Sequence, residues 1–356
     1  MTPPRVAADT PLFLVLNAAS GKGAAGAALD RITQACADAG RRLEAFPIDR
    51  RHPPARQAAA AVAAARAAGG AGGIVVVAGG DGTINTVAQA TLGSGCAFGV
   101  LPQGTFNYFA RNHGIPTDLD GALALLLTEA PQAVQVGWVN DRVFLVNASL
   151  GLYAQLLEDR EIYKSRYGRN RWVALGAAML TLARQHRPWN LRLAWRGETL
   201  ARRTTSLFVG NNALQFEQVG VAEGEALEGG RLAGVLLQPM GRLARLGLLL
   251  RGAASRLDAA EQVETLSFRA LQVAPATGAR HRRVKVATDG EVGWMNMPLH
   301  FRVGPEPLWL IRPPTSPATT PTTPTTATPM ATQTQADANT QAGATTPDIR
   351  GAKALP

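Results

Sequence analysis

The stretch GIVVVAGGDGTINTVAQATL, residues 73 to 92, sets the first limit on the fold. Ile74 to Ala78 is apolar without alternation and mostly β-branched, which is the pattern of a strand buried on both faces in a parallel sheet covered by helices. Glycines end the run and a helical pattern follows. Such a strand delivers its C-terminal end to the crevice where α/β sheets take ligands. Gly79, Gly80 and Gly82 let the backbone approach a ligand closely, and the helix start offers free N–H groups and partial positive charge to a phosphate. Phosphate would repel Asp81, so that carboxylate is expected to meet a ligand through Mg²⁺ or a ribose hydroxyl. Taken alone, the stretch equally suits a tight turn with a helix-capping Asp.

Two further strand ends repeat the design. LFLVLNAASGKG (12 to 23) places Asn17, Ser20 and Gly21 after an apolar run, and CAFGVLPQGTFNYFAR (96 to 111) does the same with Gly104, Thr105 and Asn107. In a parallel sheet these three ends share one rim, a coincidence that turns alone do not explain. None fits the G-x-x-x-x-G-K-[ST] phosphate loop, so the expected phosphate site is of another make.

The alternation of strands and helices continues to about residue 135, which predicts an α/β unit over 12–135 behind a short extension, 1–11. From 136 to 312 short strand candidates separated by turn residues predict an antiparallel sandwich or similar β-rich unit, interrupted by helical patterns near 158 to 186 and 241 to 256. From residue 313 the chain is dominated by Thr, Pro, Ala and Gln; it lacks the apolar surface to offset ordering entropy and reads as a disordered tail. Arg350 and Lys353 balance Asp337 and Asp348 there, so the net charge of +10 resides on residues 1–312.

That charge predicts an anionic partner. Nucleic acid is disfavoured: no long basic run, helix-turn-helix, zinc spacing or stacking-sheet pattern occurs. A phosphorylated small molecule or an anionic membrane surface fits better. Cys36 and Cys96 lack metal-ligand spacing and read as buried or idle thiols of a reducing compartment. With no signal-like start and no apolar run of spanning length, the expected location is cytoplasmic, peripheral on the inner face of a membrane if it touches one. The segment GRLARLGLLLRGAASRL, 241 to 257, sets arginines among leucines and suits either anionic headgroups or a solvated surface helix; REIYKSRYGRNRW, 160 to 172, is similarly ambiguous. Trp172, Trp189, Trp195 and Trp294 read as core residues.

GGDGTIN, preceded by NAASGKG and followed by LPQGTFNYFAR, resembles the diacylglycerol kinase catalytic domain superfamily, which includes bacterial lipid kinases and sphingosine kinases. VNASLGLYA (146 to 154), LFVGNNA (207 to 213), GGRLAGVLL (229 to 237) and VATDGEV (286 to 292) extend the likeness over about residues 12 to 311. The resemblance implies an N-terminal α/β nucleotide-binding domain like that of phosphofructokinases and NAD kinases, then a β-sandwich lipid-binding domain whose last strand can return to the first. It implies a lipid kinase that uses ATP and Mg²⁺ on the primary hydroxyl of diacylglycerol or a related lipid at the membrane surface. Gly79, Gly80, Gly82, Thr83 and Asn85 would shape the nucleotide pocket, extended by Gly104, Thr105 and Asn107, with Asp81 in the Mg-ATP network.

By the same resemblance the general base falls on Asp289, with Glu291 as a supporting carboxylate. Read alone, TDGE is a good hairpin turn. Phosphoryl transfer to an alcohol does require a carboxylate at the acceptor hydroxyl.

The chain departs from the pattern in places. Tyr108 stands where many members have an acidic residue, and ALEGGRLAG offers Glu228, with Glu225 upstream, where many hold a structural Mg²⁺. Asp49 falls near a nucleotide-contacting position of some members. The alternatives are an NAD kinase or sugar phosphofructokinase, which share the GGDG turn but not LPQGTFNYFAR with the late DGE, and a non-catalytic lipid- or nucleotide-binding regulator. Oligomeric state is open, a homodimer included.

Overall fold

Short apolar runs ending in glycine or proline build the first sheet. The computed structural model describes residues 2–17, 24–68, 73–151, 188–211, 230–239, 241, 263–276 and 283–314, all within the compact unit Met1–Pro314. Strands β1 (Leu12–Asn17), β2 (Leu43–Ile48), β3 (Ile74–Gly79) and β4 (Ala97–Pro102) run parallel in the order β2-β1-β3-β4. β3 and β4 are buried along their whole length, because helices cover both faces of a parallel sheet. Those helices are α1 (Ala24–Asp38), α2 (Pro54–Ala67), α3 (Asp81–Thr91), the short α4 (Tyr108–Asn112) and α5 (Leu119–Thr128). Pro53 and Pro54 open α2, where a missing N–H costs nothing. Asp118 caps α5 by accepting from the Gly121 N–H at 2.7 Å.

The sheet is completed from far along the chain. β5 (Pro131–Val134) pairs antiparallel with β18 (Leu308–Ile311), and β18 lies parallel to β4. Between them come two antiparallel six-stranded sheets. One contains β6 (Gly137–Val139), β7 (Arg142–Phe144), β9 (Trp189–Trp195), β10 (Glu198–Thr204), β14 (Ala270–Pro275) and β17 (Leu299–Val303). The other contains β8 (Asn147–Gly151), β11 (Ser206–Gly210), β12 (Leu232–Leu237), β13 (Val263–Phe268), β15 (Arg283–Thr288) and β16 (Glu291–Asn296). A single core, including Phe144, Leu193, Val273 and Phe301 from one sheet and Leu150, Leu207, Phe268 and Val286 from the other, joins them.

Residues 137–151 therefore pass from one antiparallel sheet to the other, and on the way they run beside α3. Val143, Leu145 and Val146 belong to the core of the first sheet. This crossing brings the late hairpin to the rim of the parallel sheet.

Trp189 and Trp195 pack against the second core, but Trp294 does not: it is 57% exposed. The two-residue turn between β15 and β16 fixes the register and sets Trp294 across from Lys285 on the face opposite Val284 and Val286. Both cysteines are buried free thiols. Among the described residues no helix is long and apolar enough to cross a membrane. The helical patterns expected near 158 to 186 and 241 to 256 (Gly241 excepted), Trp172, and the tail from residue 313 (Pro313 and Pro314 excepted) lie outside the described residues.

Candidate functional site

The glycine turns after β3 and β4 touch. A Cβ on Gly104 would come within 2.9 Å of the Gly80 Cα and 2.7 Å of Asn107 Oδ1, so only glycine allows this approach. The Gln103 N–H donates to the Gly79 carbonyl at 2.9 Å, and the Gly104 N–H to Asn107 Oδ1 at 2.8 Å. Asn107 is buried and takes a left-handed conformation at φ 49°, which Asn tolerates better than other side chains.

Asp81, the first residue of α3, faces the second turn. Its Oδ1 accepts from the Phe109 N–H at 3.2 Å and its Oδ2 from the Tyr108 N–H at 3.4 Å, giving α4 the acceptors its first turn lacks. Its oxygens are the hard donors a Mg²⁺ ion takes. Gly79 packs against Thr83, its notional Cβ falling 2.9 Å from the Thr83 Cβ. Thr105 and Phe106 are exposed at the rim, and the Phe106 ring stacks on Tyr108 at 5.5 Å and 12°.

Across from this rim stands the β15–β16 turn. Asp289 (φ 48°) and Gly290 (φ 90°) are both left-handed, the backbone of a two-residue hairpin in which Asp-Gly is favoured. The turn also aims the Asp289 carboxylate inward. Oδ1 accepts from the N–H groups of Val146 and Asn147, each at 2.9 Å, and Oδ2 accepts from the Leu145 N–H and Asn85 Nδ2, each at 2.7 Å. All four acceptor positions of the carboxylate are filled. Burial pushes its pKa up to about 6, against the pull of the four donors, which favour the anion.

Asn85 reaches this carboxylate from α3, and its amide also donates to the Val143 carbonyl at 3.0 Å. One turn further on, Gln89 Oε1 accepts from the Val143 N–H at 3.2 Å. Helix α3 is thereby fastened to the crossing segment at two levels. Glu291 is exposed and lies over the first turn of α3: a Cβ on Gly82 would sit 2.9 Å from its Oε1. The partial positive charge of that helix end favours a carboxylate there. Beside it opens a cavity of about 410 Å³ lined by Asn85, Thr86, Gln89, Arg142, Thr288 and Glu291 among others.

The residues singled out in the sequence thus fall into groups. Gly79, Gly80, Asp81, Gly82, Thr83, Gly104, Thr105 and Asn107 share one rim; Asp289 and Glu291 share the facing hairpin; Asn85 joins the two. Asn17 ends β1 and is half-buried. Ser20, Gly21 and Glu228 lie outside the described residues. Asp49 is engaged in its own turn, accepting from the Arg51 and His52 N–H groups and contacting His52 Nδ1. Sequence reasoning missed Gln89, Arg142 and Val143. Gln89 stands four residues after Asn85, on the same face of α3, and that spacing was the available signal.

Residues 11–139 match the family model of the diacylglycerol kinase catalytic domain. A protein named "Probable lipid kinase YegS-like" from Klebsiella pneumoniae (strain 342) is 45% identical over 75 residues, 20% of this chain and 25% of that protein. Uncharacterized protein sll0036 of Synechocystis sp. is 30% identical over 137 residues, 38% of this chain and 31% of that one. These matches span about a quarter to a third of the curated relatives' length. The crystal structure of a diacylglycerol kinase from Bacillus anthracis str. Sterne superposes with a TM-score of 0.63 at 18% identity, covering 85% of this chain and 97% of that one. At such identity the likeness is one of fold.

Proposed function

Through residues 11–139 the chain belongs to the diacylglycerol kinase catalytic domain superfamily, and from that premise we propose that it transfers the γ-phosphate of ATP to the primary hydroxyl of diacylglycerol or a related lipid. The observation that carries this reading is the meeting of two hairpin carboxylates with α3: Glu291 lies over Gly82 in its first turn and Asp289 bonds Asn85 just beyond it. Phosphoryl transfer needs little from a protein beyond position, compensating charge and a place for one proton.

In this reading the phosphates lie against Gly79, Gly80, Gly82, Thr83, Gly104 and Thr105, with Asn107 holding the second turn; Asn17, Ser20 and Gly21 remain candidates on the sequence pattern after β1. The eleven residues of α3 present their free N–H groups to that site. Asp81 would hold the Mg²⁺ that accompanies ATP, with Glu228 as the second candidate ligand; the ion supplies charge neutralisation along the phosphates. The lipid hydroxyl oxygen bonds to the γ-phosphorus, the bond to the bridging oxygen breaks, ADP leaves and the hydroxyl proton goes to Asp289.

Asp289 can take that proton only when one of its four donors lets go. Three are backbone N–H groups fixed in the crossing segment; the fourth, Asn85, is a side chain with a second acceptor at Val143. Asn85 is therefore the donor that yields. The filled carboxylate also favours a second reading, in which the exposed Glu291 receives the proton and Asp289 holds the hairpin in place. Replacing each carboxylate by its amide and comparing pH–rate profiles separates the two, since the true base sets the acidic limb.

The deciding assay incubates the protein with labelled ATP and Mg²⁺ against a lipid extract, NAD and sugar phosphates. Label in a lipid supports the proposal. Label in NAD or a sugar phosphate, or in no acceptor, overturns it.

A further inference from the structure

The outer face of the β15–β16 hairpin combines two features that the phosphoryl-transfer site does not use. Trp294 leaves 57% of its surface exposed, in the middle of an edge strand. Arg283 and Lys285 flank it, with the guanidinium carbon 5.5 Å and Nζ 5.4 Å from the ring centroid. The cross-strand pairs on the open part of this face are Arg283 with Asn296 and Lys285 with Trp294; Ala287, nearer the turn, is buried. Nothing in that set is acidic.

Side chains alternate along a strand, so Glu291, Gly293 and Met295 face one way and Val292, Trp294 and Asn296 the other. The hairpin thereby separates a carboxylate side, turned toward α3, from an aromatic and cationic side. An indole bounded by cations suits the boundary of an anionic bilayer: the ring partitions at headgroup level, and the Arg283 guanidinium meets lipid phosphates. A solitary exposed tryptophan would carry less weight, but two cations stacked on it specify the charge of what it meets.

We propose that this face of the β15–β16 hairpin docks on an anionic lipid bilayer. The inference rests on the lipid-kinase reading for its purpose, though not for its test. Trp294 is three residues from Glu291, about 10 Å along the strand, and β16 is an edge. A lipid seated against Trp294 therefore has its headgroup within reach of the carboxylate side by passing one strand.

Vesicle co-sedimentation of the full chain tests this without ATP or an acceptor. Wild type should bind phosphatidylglycerol vesicles, bind phosphatidylcholine vesicles much less, and release as salt rises. Arg283→Gln should weaken partitioning about fivefold, and Trp294→Ala about tenfold. Arg203→Gln, on the edge strand of the other antiparallel sheet, should change nothing, and melting curves should show every variant folded. Trp294→Phe, which retains an aromatic body, should recover part of the loss. Equal binding by all variants, no binding by wild type, or preference for a single-stranded oligonucleotide over vesicles would overturn the proposal. Wild type that binds vesicles through Trp294 yet labels no lipid would sink the kinase reading and leave the docking surface standing. Wild type that phosphorylates dispersed lipid without binding vesicles would do the reverse.

Discussion

Asn85 Nδ2 lies 2.7 Å from Asp289 Oδ2, a hydrogen bond across 204 positions of sequence that ties the first turn-and-a-half of α3 to the hairpin facing it. Asn85→Ala leaves the half-buried Asp289 carboxylate and the Val143 carbonyl each short of a donor. The expected loss is about 1–3 kcal/mol of stability, read from urea melts, together with slower phosphoryl transfer. Asn85→Asp should be worse, because it sets two carboxylates against one another.

The two hairpin carboxylates should answer differently to amide substitution. Asp289→Asn presents an NH₂ to donors that need an acceptor, so it should cost about 1–3 kcal/mol even if the turn remains ideal. Glu291→Gln, on an exposed side chain, should leave stability within about 0.5 kcal/mol of wild type. Loss of turnover in the second variant without loss of stability would point to Glu291; loss only in the first requires its pH–rate profile before Asp289 is credited.

Gly104 and Gly82 offer a contrast in what a single methyl group meets. At Gly104 it strikes the Gly80 backbone, and Gly104→Ala should destabilise by about 1–3 kcal/mol and weaken ATP binding. At Gly82 it meets the free end of Glu291, which can swing aside. Gly82→Ala should therefore fold as well as wild type and still lose activity, measured by thermal melts beside the labelling assay.

Two half-buried groups give acid stability opposite slopes. His113, half-buried beside Arg312, has its pKa pushed down to about 3 by loss of hydration and by the neighbouring guanidinium, so its contribution is complete above about 6.5 and is lost as pH falls toward 3. Asp289 has its pKa raised to about 6, so its contribution is complete below about 4 and is lost as pH rises through 6. Denaturation midpoints across pH 4 to 7 should be flatter in wild type than in either variant. His113→Phe should become relatively more stable on acidification, and Asp289→Asn relatively less.

The parallel strands were legible because β1, β3 and β4 are continuous apolar runs stopped by Asn, Gly or Pro. The hairpin at Asp289–Gly290 was legible for a similarly local reason. Counting outward from that turn also sets Trp294 opposite Lys285 on the charged face, so its exposure was available in the sequence and was read as burial instead. The contacts of Asn85 were not legible. Its partners are the 143 carbonyl and residue 289, and nothing in the local pattern of GTINT announces a bond to either. Asp81 shows the same limit: its place at a strand end is written in GGDG, whereas its two bonds to the backbone of α4 depend on how the two turns meet.

The return of β18 between β4 and β5 has a consequence for how the protein is made. A ribosome releases residues 12–134 long before Leu308–Ile311, and until those four arrive β4 and β5 have no neighbour to share between them. The parallel sheet begins its life with an open edge and is sealed last, after every described strand of the two antiparallel sheets has been synthesised. An incomplete chain therefore carries an unfinished rim, and the segment that matches the family model, residues 11–139, lacks the strand that completes its own sheet.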